Sequence, residues 1–97
     1  MAIPVGYEGQ VRARSSLGSK GLILPHSIGT IDADYRGELF VLMTWIGEGD
    51  SYTVKAGERI AQMLISPIPD LSIREVDFEE LGETERGAGG FGSTGRF

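Results

Sequence analysis

Cysteine is absent from the 97-residue chain. Its absence excludes disulfides and thiolate metal sites, and makes the cytoplasm the expected compartment. Histidine is almost as scarce. His26 stands alone, and one imidazole cannot build a metal centre with this inventory, so it reads as a solvated loop residue. No apolar run approaches the ~18 residues of a membrane span. The opening Met1-Ala2-Ile3-Pro4-Val5-Gly6 lacks the charged start and long apolar core of a signal peptide. Basic residues are in the minority, nine Lys and Arg against fourteen Asp and Glu, for a net charge of −5. That excludes the broad basic face of non-specific nucleic-acid binding and leaves room for a local basic pocket for a small anion. No helix of useful length and no internal repeat is visible. A chain of this size is one domain, burying only about 60–65% of its unfolded surface.

What is present is a series of short strand-like runs separated by turn residues. Tyr7 to Arg14 alternates, with Tyr7, Gly9, Val11 and Ala13 on one face, and predicts a half-buried strand. Ser15 to Gly21 is small and polar and reads as a turn or irregular loop. Leu22 to Leu24 predicts a short strand ended by Pro25-His26-Ser27. Glu38 to Trp45 is the most apolar run and is expected to be central. Ser51 to Lys55 alternates with Tyr52 and Val54 inward. Arg59 to Ser66 predicts a buried strand with Gln62 embedded in it. Leu71 to Phe78 predicts an edge strand, and Glu79 to Glu85 an acidic linker. Short strands at this spacing indicate an all-β sandwich or barrel. Of the 15 glycines, Gly87, Gly89, Gly90, Gly92 and Gly95 crowd into the last twelve positions. They divide the chain into a β domain, residues 1–85, and a glycine-rich tail, residues 86–97.

Four stretches carry chemistry. Gly29-Thr30-Ile31-Asp32-Ala33-Asp34-Tyr35-Arg36-Gly37-Glu38 reads as a turn presenting carboxylates at a sheet rim. Asp32 follows an inward isoleucine, is expected to be partly shielded, and suits general-base work. The plain alternative is an Asp/Gly hairpin, since both residues favour turns for backbone reasons. Arg14-Ser15-Ser16 combines a guanidinium, two hydroxyls and loop N–H groups, which suits a phosphate oxygen. A turn with a surface arginine has the same composition. Gln62, as a buried amide, needs partners and meets either backbone or a ligand. The tail is not a Walker A loop, because it lacks the Lys-Ser/Thr ending and a following helix. Its glycines, arginines, hydroxyls and Phe91 suit a lid that orders on a nucleotide. A disordered glycine-rich end is the alternative.

In order and rough spacing these stretches resemble the motifs of the homotrimeric dUTP diphosphatases, the dUTPases. Arg14-Ser15-Ser16-Leu17 resembles the second motif. The stretch from Gly29 to Gly37 resembles the third. Gly57-Glu58-Arg59-Ile60-Ala61-Gln62 resembles the fourth, and Arg86 to Gly95 the fifth. The resemblance implies a β jelly roll, or β-clip sandwich, with three active sites at subunit interfaces. Asp32 would activate the water that attacks the α-phosphorus of dUTP, giving dUMP and pyrophosphate. Tyr35 would pack under the deoxyribose and leave no room for a ribose 2′-hydroxyl. Arg14, Ser15, Ser16 and Gln62 would hold phosphates. The hairpin from His26 through Thr30, Ile31 and Asp32 to Phe40 would read uracil. Arg86, Phe91, Gly92, Ser93 and Thr94 would close over the nucleotide, with Phe91 stacked on the base. Mg2+ would bridge phosphate oxygens and waters, with Gln62 behind those waters and no direct protein ligand.

Three departures stand out. Ala13 replaces a usual proline. His26 replaces a frequent uracil-contacting asparagine, which bears on base selectivity. The family's first motif, whose aspartate helps hold hydrated magnesium, is missing. The resemblance therefore implies a jelly roll incomplete at its N-terminus, expected to fold poorly or to bind magnesium weakly. Two alternatives accompany it. A non-catalytic remnant would bind nucleotide or partner subunits only. A dCTP deaminase would share the Arg-Ser-Ser-Leu motif, but Leu39-Phe40-Val41-Leu42-Met43 carries no catalytic glutamate, and Asp34-Tyr35 stands where that enzyme has Gly-Phe.

Overall fold

The computed structural model describes every residue of the chain except Ser93. The central element is β1 (Tyr7–Ala13), where alternation buries Gly9 and Val11. The fourth element is the small β3 (Gly29–Ile31) and the last strand is β5 (Ala61–Pro67). They flank β1 in the order β3-β1-β5, both antiparallel to it. Gly9 lies opposite both Ile31 and Ile65. A Cβ there would fall 3.2 Å from Ile31 Cβ and 3.3 Å from Ile3 Cδ1 and Met63 Sδ, so glycine lets three elements meet over the strand. A second, two-stranded sheet pairs β2 (Leu22–Ile23) with β4 (Thr44–Trp45), also antiparallel. The core beneath both sheets is small: Ile3, Val11, Leu17, Leu22 and Leu24 are buried. Val11→Ala is therefore expected to cost about 2 kcal/mol. Val5→Ala, at a position 92% exposed, should stay within about 0.5 kcal/mol. Urea-unfolding midpoints at unchanged slope check both.

The structure corrects several sequence expectations. Ser15 to Gly21 is not wholly irregular. Arg14 is extended and Ser15–Gly18 forms one helical turn, α1, closed by Gly18 N–H to the Arg14 carbonyl at 2.8 Å and anchored by buried Leu17. Glu38 to Trp45 is not a central strand: only Thr44–Trp45 joins a ladder. Both edges of β1 are taken by β3 and β5, and β2 offers only two residues to pair with. The alternation survives as half-buried Val41, Met43 and Trp45 between exposed Phe40, Leu42 and Ile46. Ser51 to Lys55 forms no strand. Tyr52 is half-buried against Trp45, ring centroids 5.1 Å apart, and Val54 is exposed.

The Tyr52 hydroxyl also donates to Glu58 Oε1, whose second oxygen accepts the Lys55 N–H at 3.0 Å. These two hydrogen bonds hold the Glu58 carboxyl below the usual range, and the Tyr52 hydroxyl, donating to that anion, is pushed up. The turn is thus clasped across neutral pH.

The strand predicted at Arg59 to Ser66 forms at Ala61–Pro67, but it is not buried. Met63, Leu64 and Ile65 are 37–48% exposed, because β5 is an edge of its sheet and no layer covers it within this chain. Leu71 to Phe78 forms no edge strand and pairs with neither free edge of the sheet; Ile73 is fully exposed. The acidic linker contains a 3₁₀ turn at Phe78–Leu81. The radius of gyration is 19.4 Å, against the ~13 Å of a compact chain near 100 residues. The chain is an open sheet assembly with much apolar surface uncovered. Among the described residues, no helix is long and apolar enough to cross a membrane.

Candidate active site

Asp32 to Glu38 forms a hairpin that closes on itself. The Tyr35 N–H donates to the Asp32 carbonyl at 3.1 Å. The Tyr35 hydroxyl donates to the Glu38 carbonyl at 2.6 Å. Arg36 Nη1 donates to the Ala33 and Tyr35 carbonyls at 2.6 and 3.0 Å. Arg36 is therefore engaged in building the turn. This hairpin, the end of β3 and Phe40 enclose a pocket of about 220 Å³ lined by Thr30, Ile31, Asp32, Tyr35, Glu38 and Phe40. The structure thus brings five of the sequence-derived candidates together. Asp32 is exposed, not partly shielded as expected. The ladder of β3 ends at Ile31, so its successor emerges at the rim with no strand beyond to cover it.

A second polar cluster lies at the other end of β1. Arg14 Nη1 donates to the Arg59 carbonyl at 2.9 Å, and Gln62 Nε2 to the Ala13 carbonyl at 3.2 Å. Both line a larger hollow of about 480 Å³ whose walls include Val11, Leu39, Val41 and Met63. Gln62 is exposed rather than embedded, for the same reason that β5 is open. Ser15 and Ser16 are exposed on α1 beside Arg14. The segment 38–41 separates the two hollows: Glu38 and Phe40 face one, Leu39 and Val41 the other.

The two clusters do not meet within one chain. Ile31 is opposite Gly9, which places Asp32 beside Glu8, whereas Arg14 follows the far end of the strand. At about 3.3 Å per residue that is a separation of about 20 Å. His26 lies in the turn after β2, its Nε2 3.2 Å from where a Cβ on Gly29 would sit. The described tail residues line neither hollow. Phe91, Gly92, Arg86 and Thr94 are exposed, and Arg86 Nε donates to Gly89 within the tail at 2.6 Å. Ser93 lies outside the described residues. Sequence reasoning assigned no role to Arg59, which lines the hollow of Arg14, or to Glu38, whose carbonyl anchors Tyr35. The first is a charge at the start of an apolar run, the second a backbone group, and neither gives a side-chain signal. Among the described residues, no group of three His, Cys, Asp or Glu side chains could hold a metal ion.

The class defined by these observations is an all-β protein with an acidic, tyrosine-bearing hairpin at one end of its central strand and an arginine–amide cluster at the other. The family model for dUTPase matches residues 1–95, and the chain belongs to the dUTPase family. It is 56% identical over 97 residues to the deoxyuridine 5′-triphosphate nucleotidohydrolase of Dinoroseobacter shibae, covering 99% of this chain and 61% of that protein. It is 52% identical over 96 residues to the corresponding protein of Caulobacter vibrioides, covering 98% and 60%. The fold matches the dUTPase of Staphylococcus bacteriophage 80alpha, solved with dUpNHpp, at a TM-score of 0.71 and 32% identity, covering 98% of this chain and 70% of that one. The chain thus spans about 60% of the length of these curated relatives.

Proposed function

We propose that the chain carries the catalytic hairpin of a dUTP diphosphatase, hydrolysing dUTP to dUMP and pyrophosphate. The observation that carries this reading is the hairpin pocket, where Asp32 and Tyr35 line one hollow in a dUTPase-family chain. Asp32 takes a proton from a water as its oxygen bonds to the α-phosphorus. The bond from that phosphorus to the bridging oxygen breaks, and pyrophosphate leaves with the electron pair. Exposure of Asp32 gives the water access. The pocket is smaller than the ~300–1,000 Å³ of sites that enclose a whole drug-sized ligand. It suits a base and sugar, with Tyr35 against the deoxyribose and the phosphates outside.

Arg14, Ser15, Ser16 and Gln62 hold those phosphates, and they come from a second copy of the chain. The separation of about 20 Å along β1 is longer than three linked phosphate groups. A homotrimer with interfacial sites meets this requirement. The open β5 edge and the exposed apolar residues around it support the same reading. The tail, residues 86–97, acts as a separate closing segment that brings Arg86, Phe91, Ser93 and Thr94 over the nucleotide.

Among the described residues, the carboxylates build no cage for Mg2+. The ion would travel on the phosphates, where it would neutralise charge. The same feature favours a second reading in which the chain binds nucleotide without turning it over.

Pyrophosphate release from dUTP separates the two. Turnover without ammonia release from dCTP supports the diphosphatase. Binding of a non-hydrolysable dUTP analogue with no turnover at saturating magnesium supports the binding-only form.

A further inference from the structure

Gly37 is the glycine of the hairpin with the most telling surroundings. A Cβ built on it would fall 2.6 Å from Cζ and 2.8 Å from Cε1 of Tyr35, closer than real Cβ contacts come, with the hydroxyl also in the way. The backbone does not explain the glycine. Gly37 is not among the described glycines with positive φ, whereas Gly6, Gly21, Gly49 and Gly57 are. An L-residue can adopt its conformation, so the missing side chain serves the ring. The far end of that ring is fixed by the hydroxyl bond to the Glu38 carbonyl at 2.6 Å. The ring is therefore seated between Gly37 and a backbone acceptor one residue further on.

We propose that Gly37 is a positioning residue for nucleotide selection. By having no Cβ it lets the Tyr35 ring lie down on the hairpin, and this sets the height of the wall that a sugar 2′-substituent would meet. A methyl group at Gly37 lifts the ring by displacing a side chain rather than the backbone. The chain fold is kept while the pocket changes shape. The selectivity role rests on the reading of Tyr35 as the deoxyribose contact. The seating itself rests on the hairpin geometry alone.

Gly37→Ala is the test, with two readouts on the full 97-residue chain. The first needs no nucleotide. The Gly37 α-protons should carry a ring-current shift in the NMR spectrum that Tyr35→Leu removes, and Gly37→Ala should move the Tyr35 ring resonances. Unmoved Tyr35 resonances overturn the seating. The second is the ratio of affinities for dUTP and UTP. Gly37→Ala should reduce it by roughly tenfold, and should have no further effect once Tyr35 is replaced by alanine, since the two act through one ring. A Gly37→Ala effect that persists without Tyr35 overturns the positioning role. A parent chain that binds dUTP and UTP equally overturns the sugar-contact reading, and the selectivity role with it, even where the ring moves as expected.

Discussion

Asp32→Asn is expected to lower dUTP turnover by about 10²–10⁴-fold, the usual contribution of a positioned general base, with little change in nucleotide affinity. The substitution keeps shape and removes the proton-accepting charge. Asp32 sits just beyond the last paired residue of β3 and is solvent-exposed, and its side chain enters no hydrogen bond among the described residues. The fold therefore has nothing to lose, and the thermal midpoint should be unchanged. The loss should fall on kcat rather than KM, because the proton moves only as the water attacks. Steady-state pyrophosphate release with parallel binding of a non-hydrolysable analogue checks this. Equal loss of affinity and turnover would mean that Asp32 holds the nucleotide instead of activating the water.

Ending the chain after Glu85 is expected to cost turnover on the order of 10²-fold, as loss of a closing and orienting segment does, without lowering stability. The hydrogen bonds described for the tail stay local, such as Arg86 Nε to Gly89 and Gly87 N–H to Thr84 Oγ1. Phe91 is wholly exposed and contributes no packing to the sheets. An exposed aromatic among glycines stabilises little by itself, but it offers a face for a base. Phe91→Ala alone should therefore weaken dUTP binding by about 1–3 kcal/mol, the range for base–aromatic stacking. Calorimetric binding and thermal unfolding, measured on the same samples, separate the two effects. A truncated chain that unfolds at a lower temperature would show the tail to be part of the fold.

The sequence was most legible where the chain supplies both partners of an interaction. β1 announced itself through alternation because β3 and β5 flank it, so Gly9 and Val11 are buried as read. The hairpin at Asp32 to Glu38 was legible through its glycines and acids. The strands predicted at Glu38 to Trp45, Ser51 to Lys55 and Leu71 to Phe78 have equally good patterns and largely do not form. Alternation reports that one face seeks burial, but a strand also needs a neighbour to hydrogen-bond, and apart from Thr44–Trp45 these segments pair with none. Gln62 illustrates the same limit. Its apolar run predicts burial, and it is exposed because β5 is an edge. What composition could not reveal at all was distance: that Asp32 and Arg14 stand at opposite ends of one strand follows only from the register.

That separation is the centre of the account, and mixing two inactive variants tests it most directly. Asp32→Asn and Arg14→Ala chains, each impaired alone, are unfolded together in equal amounts and refolded, and pyrophosphate release from dUTP is measured. With Asp32 and Arg14 of each site drawn from different copies, random assembly of a closed ring leaves about a quarter of the sites with both native residues. The account predicts recovery of about that fraction of parental turnover. Parental turnover with no recovery in the mixture would contradict it, placing both residues of each site on one chain.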